Sequence, residues 1–276
     1  MLRTRVISRG DRVRCGKYKL HSKFASAANF ISGNTYVFVV IPEVGAGPLN
    51  IVVRVLELRW LRSLEVQPRQ CILNGEMILS HASEPYNSNL HLSGYNEEIF
   101  RVNLKVLEHA IVQFSPQKSL AFLLDPDRTR KSTSLFECEL ISRFEIAMGT
   151  ALSENYQNAI GMVKGLGFGL TPSGDDFISG FLVAMNVCQQ VFKTDLSQPI
   201  LSVWRAAQGR NDLVNAFLAC AARGQVSEKF KNMIYSLFFS REEEVVRDTR
   251  RLLTVGATSG ADQTVGFFTG MKRFSI

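Results

Sequence analysis

Hydrophobic and polar positions follow two rhythms along the chain. From about position 34, runs rich in β-branched and aromatic residues, NTYVFVVIPEV and LNIVVRVLEL, flank turn formers at Gly45, Gly47 and Pro48 and predict a β-hairpin. Residues 70–79 and 99–106 predict further strands, and HASEPYNSNLHLSGYNEE between them reads as an exposed loop with short strands. Past 106 the apolar residues recur at helical spacing. Helices are predicted over 107–114, 136–151, 154–164, 176–192, 199–208, 213–223, 228–239, 241–253 and 261–273, with short Gly, Ser, Asn or Pro interruptions. The charged stretch LLDPDRTRKSTS reads as a surface loop, and turn chemistry explains its Asp125 and Asp127 more cheaply than cation binding. The expectation is an α+β protein, with a β-rich N-terminal domain over 1–106 and an all-helical domain over 107–276.

The helix predicted over 176–192 is apolar on nearly every face, as a buried helix is. It follows the stretch GLGFGLTPSGDDFISG, whose glycines at Gly165, Gly167, Gly169 and Gly174 let the backbone turn tightly. Ser173 or Asp175 is the expected helix cap, with Asp175 and Asp176 facing the positive end of the peptide dipoles. A second stretch, GATSGADQTVG, repeats this grammar. Gly169, Thr171, Ser173, Gly174, Asp176 and Gly180 match Gly256, Thr258, Ser259, Gly260, Asp262 and Gly266, with Pro172 as one extra residue in the first copy. Two such turns suggest helix N-termini converging on one place. Taken singly, each also reads as an ordinary capped helix start.

Free backbone N–H groups at a helix start commonly hold phosphate or carboxylate, which makes a small anion the first candidate ligand. The loop lacks the G-K-[ST] ending of a P-loop and follows a helix rather than a strand, so neither nucleotide fingerprint fits. Asp175, Asp176 and Asp262 would repel an anion unless a cation or an amide lies between. They can bind a divalent cation, accept hydrogen bonds from an NH2-bearing ligand, or cap their helices. Thr171, Ser173, Thr258 and Ser259 supply hydroxyls for any of these. No cofactor is specified; magnesium is the candidate cation.

Composition narrows the rest. The chain has 276 residues, 46% of them hydrophobic, enough for a sizeable core. Five scattered cysteines without a C-x-x-C pair indicate neither a disulfide framework nor a zinc site, and no His pair has metalloprotease spacing. No apolar run approaches the ~20 residues that span a bilayer, and no signal peptide is recognisable, so a soluble cytoplasmic protein is expected. The net charge of +7 sits in residues 1–23, where Arg3, Arg5, Arg9, Arg12, Arg14, Lys17, Lys19 and Lys23 face a single Asp11. Without an accompanying stacking pattern this basic arm reads as a solvated edge, and no nucleic-acid binding is predicted.

GLGFGLTPSGDDFISG followed by LLTVGATSGADQTVGFFTG resembles the H subunit family of oxamate carbamoyltransferase, from the allantoin pathway of purine catabolism, a family formerly known as a domain of unknown function. The family's loops resemble G-x-G-x-G-L-T-P-S-x-D-D-x-x-x-G and G-H-T-S-G-x-D-x-x-x-G. Here Phe168 stands where the family often has Pro, and Ala257 where it often has His. The resemblance implies a hetero-oligomer of carbamoyltransferase subunits that phosphorolyses oxalurate to oxamate and carbamoyl phosphate. It also implies a small anionic amide or phosphate ligand. On this reading Asp175, Asp176 and Asp262 are the candidate catalytic residues. Gly165, Gly167, Gly169, Thr171, Ser173, Gly174, Thr258, Ser259 and Gly260 are the candidate ligand-binding residues. The alternative is a non-catalytic structural or regulatory subunit that docks its basic arm onto an acidic partner.

Overall fold

The computed structural model describes residues 5–54, 57–80, 84–129, 134–152, 155–167 and 171–275. The chain divides into two compact units, one of residues 1–89 with 225–231 and one of 90–224 with 232–276.

The first unit is a single sheet. Its strands are β1 Arg5–Arg9, β2 Gly16–Lys23, β3 Ala27–Ser32, β4 Thr35–Val40, β5 Asn50–Arg54, β6 Ser63–Val66, β7 Gln70–Leu73 and β8 Met77–Ser80, in the order β1-β5-β4-β3-β2-β6-β7-β8. Alternate residues point to one face, so Ala28 and Phe30, Val37 and Val39, Ile51 and Val53, Leu64 and Val66, and Cys71 and Leu73 share a buried core. The sheet curls around that core, bringing the edge strands β1 and β8 near each other.

Three features depart from the sequence pattern. The expected hairpin over 34–58 is instead a parallel pair, with Phe38 opposite Asn50, Val39 opposite Ile51 and Val40 opposite Val52. After Val40 the chain returns to the middle of β4, and β5 enters the sheet between β4 and β1. Gly10 permits this path, because a Cβ there would lie 2.2 Å from the carbonyl oxygens of Gly47 and Pro48. The basic arm is also no free arm: Arg5 and Arg9 lie in β1 and Lys17, Lys19 and Lys23 in β2, while Arg5, Arg12, Arg14, Lys17 and Lys19 are exposed, as the expected solvated edge requires. Arg9 clamps the Val13 (2.9 Å) and Pro68 (3.3 Å) carbonyls, and Lys23 donates to Arg59 O at 2.8 Å. Arg3 lies outside the described residues.

The third departure is in the second unit, where the strand expected over 99–106 lies inside helix α1, Glu97–Phe114. Ile99, Val102 and Val106 favour a strand locally. Asn96 nevertheless accepts from the Ile99 N–H as an N-cap, and Phe100, Asn103, Leu107, Ala110 and Ile111 bury one helical face. Tertiary burial overrides the local preference. After a 3-10 turn at Leu120–Leu123 come α2 Pro126–Thr129, α3 Leu135–Leu152, α4 Tyr156–Val163, α5 Ser173–Phe192, α6 Ser197–Ala207, α7 Asp212–Ala221, α8 Glu228–Phe239, α9 Glu242–Leu253 and α10 Ser259–Phe274. The short α2 falls within the stretch read as a surface loop.

Several helix C-termini are capped by side chains from elsewhere. Asn103 donates to Ser236, Leu237 and Ser240 carbonyls, Asn186 to those of Ala221 and Ala222, Lys164 to those of Ala206 and Gln208, and Arg128 to those of Val112, Ser115 and Pro116. Each satisfies carbonyls that the helix leaves without an internal partner.

At the centre of this unit α5 and α10 cross almost backbone to backbone. A Cβ on Gly180 would lie 1.9 Å from the Gln263 carbonyl oxygen, and one on Gly266 would lie 2.0 Å from that of Phe177. Both contacts are with main chain, which cannot swing aside. Gly266→Ala is therefore expected to cost about 3 kcal/mol or more of stability, at the upper end of overpacking penalties. Gly161→Ala in α4, with open space around its Cβ, is expected to gain about 0.5–1 kcal/mol. Urea denaturation of the two variants checks both signs.

Candidate functional site

The two repeated loops meet. Thr171 Oγ1 donates to Asp176 Oδ2 at 2.9 Å and lies 3.0 Å from Ser259 Oγ, the first residue of α10. The segments that lead into α5 and α10 have the same local construction. Leu166 N–H donates to Val163 O and Gly174 N–H to Leu166 O; in the second copy Val255 N–H donates to Leu252 O and Gly260 N–H to Val255 O. Gly167 (φ 107°) and Gly256 (φ 64°) turn through left-handed backbone directly beside Ser173 and Ser259. A Cβ on Gly174 would strike the Val163 carbonyl oxygen at 1.8 Å, and one on Gly260 that of Leu252 at 2.0 Å.

This construction corrects the alignment drawn from sequence. Gly167, not Gly169, stands in the place of Gly256. Counted back from the first helical residues, Pro172 stands opposite Thr258 and Thr171 opposite Ala257. The first copy therefore carries three extra residues between its glycine turn and its helix. Gly169, with Phe168 and Leu170, lies outside the described residues. The expected caps are corrected too, because Pro172 and Thr258 are the N-caps and neither makes a side-chain cap bond. Ser173 is the first residue of its helix. Asp175 turns back to accept the Gly165 N–H on Oδ1 at 3.1 Å and holds the loop closed.

The two motif aspartates are arranged reciprocally. Asp176, at the start of α5, receives hydrogen bonds from Ser259 at the start of α10 and from its own Thr171. Asp262, in the first turn of α10, is stabilised by Ser173 at the start of α5 and by its own Thr258. It also accepts the Leu120 N–H on Oδ1 at 2.7 Å, while its buried Oδ2 has no hydrogen-bond partner. The Leu120 contribution comes from the 3-10 turn and leaves no mark in the sequence. The symmetry is incomplete, since Ala257 has no hydroxyl to repeat the bridge that Thr171 makes. The polar bridge is one-sided.

Burial governs the charge state of these groups. Asp176 is pushed up to about 7, chiefly by desolvation, although the Ser259 and Thr171 hydroxyls pull it down; the charges of Asp262 and Asp175 raise it further. Asp262, fully buried, is pushed up to about 6 by desolvation against the Leu120 N–H and the Ser173 and Thr258 hydroxyls. Burial also raises Asp175, against the Gly165 N–H and the Lys164 charge. A carboxyl that titrates near neutrality can serve as acid or base.

The loops offer less to an anion than their glycines suggest. The Gly165, Gly174 and Gly260 N–H groups are all spent on Asp175, Leu166 and Val255. For magnesium the case is weaker still, because among the described residues no group of three or more His, Cys, Asp or Glu side chains is placed to hold a metal ion. Nor is any helix among them long and apolar enough to cross a membrane.

The raised carboxyls fix a pH dependence. Unfolded, both aspartates ionise near 3.8. Folded, they keep their protons until about 7 and about 6. Between these limits the folded state binds more protons, so stability falls as pH rises, by about 1.4 kcal/mol per unit for each group. The protein is expected to be more stable at pH 5 than at pH 8 by on the order of 4 kcal/mol from this source. Urea midpoints should show that difference at least halved in Asp176→Asn. A wild-type midpoint that rises with pH, unaffected by this substitution, would contradict the assignment.

No solved structure matches the chain. Residues 163–271, which span both loops, α5 and most of α10, match the model of the family described as oxamate carbamoyltransferase subunit AllH, the family that the paired loops resemble.

Proposed function

We propose that the chain serves as a subunit of an oxamate carbamoyltransferase complex and binds a small anionic amide or phosphate ligand where its two loops converge. The observation that carries this reading is the reciprocal serine–aspartate arrangement at the two helix starts, inside the stretch that matches the family. A ligand such as oxalurate has carboxylate and carbonyl oxygens as well as amide N–H groups. The Thr171 and Ser259 hydroxyls suit the first, and Asp176 suits the second. Asp176, half-buried and titrating near 7, is the candidate proton carrier of the transfer. Oxalurate, phosphate, oxamate and carbamoyl phosphate are the reaction partners on this reading, in cytoplasmic purine catabolism, with other subunits completing the complex.

Ligand present at a hundredfold excess over its dissociation constant adds about 2.7 kcal/mol of stability, enough to raise a melt by several degrees. Thermal melts of the chain with oxamate, oxalurate or carbamoyl phosphate, each with and without magnesium, are expected to show such a rise for at least one ligand. Asp176→Asn is expected to abolish it. No rise with any of them would favour a structural or regulatory subunit instead.

A further inference from the structure

Resting on the reading above, we infer that the converged loops take the amide half of the ligand and turn phosphate away, so that another chain of the complex receives the phosphate. A phosphate site at a helix start works through unspent N–H donors and nearby cations. Here, among the described residues, the N–H groups of Gly165, Gly174, Asp175, Asp176, Gly260 and Asp262 are already used within the loops and first turns. Lys164, the cation beside the first loop, points its Nζ at the Ala206 and Gln208 carbonyls at 2.9 and 2.6 Å. Each helix also carries an aspartate in its first turn, where a phosphate would place its own negative charge.

What the place offers instead is acceptors. Asp262 Oδ2 is buried, lacks a partner and sits beside the hydroxyls that flank the two helix starts. Asp176 is half-buried, as are Thr171 and Ser259 next to it. A primary amide fits this set: its NH2 donates to the Asp176 carboxylate in place of the Ser259 hydroxyl, whose proton can then turn to the amide's carbonyl oxygen. Sites that hydrogen-bond a substrate N–H reject an analogue lacking it, because their own buried polar groups are left unpaired.

Oxamate and oxalate differ by NH2 against O, which makes them the probes. Titration calorimetry of the full chain at pH 8 is expected to give oxamate an advantage over oxalate of about 100-fold, with inorganic phosphate failing to compete. Because Asp176 takes up a proton near 7, the advantage should shrink at pH 6, where a protonated carboxyl donates to oxalate instead of repelling it. Asp176→Asn should collapse the ratio. Ser259→Ala, which keeps the Asp176 carboxyl but removes a hydroxyl that lowers its pKa, should weaken oxamate about tenfold at pH 8 through one lost hydrogen bond. Oxalate or phosphate binding as tightly as oxamate overturns this inference and leaves the loop site standing, as does an unchanged ratio in folded Asp176→Asn. Failure of all three probes to bind overturns the loop site itself, and the inference with it.

Discussion

The helical unit depends on the contact between α5 and α10, where two glycines let the helices approach until side chains are excluded from the crossing. Gly180 faces the Gln263 carbonyl and Gly266 that of Phe177. Because each glycine meets the residue three before its counterpart, the contact is close to two-fold symmetric. Its geometry dictates what happens at the helix ends. Once the helices are locked in this register, their first turns must lie side by side, and Ser259 arrives 3.0 Å from Thr171. The polar cluster follows from an apolar, steric constraint.

That constraint explains why the motif joins glycines to serines and aspartates. Gly174 and Gly260 bring each helix start against the turn before it, and Gly180 and Gly266 bring the helices against one another. The serines and aspartates then occupy the space left between two positive helix ends. The aspartates neutralise those dipoles, but burial makes their own ionisation costly. Burial and the neighbouring carboxylates raise Asp176 while the Ser259 and Thr171 hydroxyls pull it down, which leaves it titrating at about 7.

Much of this was legible in the sequence. The apolar 176–192 run, the repeated S-G-x-D grammar and most helix limits are short-range signals, and they survive in the structure. What was not legible is long-range. The parallel pairing of β5 with β4 depends on Gly10 making room for Gly47 and Pro48, and the loop between β4 and β5 looks like any hairpin connection. β-branched residues concealed α1, because the burial of Phe100, Asn103 and Leu107 is decided by tertiary contacts. In the site itself, residue types alone aligned Thr171 with Thr258. The hydrogen bonds align it with Ala257. The Leu120 N–H on Asp262 belongs to backbone, which carries no residue signature at all.

The side-chain caps at the helix ends join segments far apart in the chain. Asn103 closes the end of a helix more than 130 residues away, and Lys164 and Asn186 do the same for helices that follow their own. Fraying of one helix thus withdraws a cap from another and leaves its last carbonyls exposed. Local opening is propagated rather than contained. Amide protons near these ends should then exchange with solvent in a shared cooperative event, so that the bundle which carries the paired loops opens as a unit and not helix by helix.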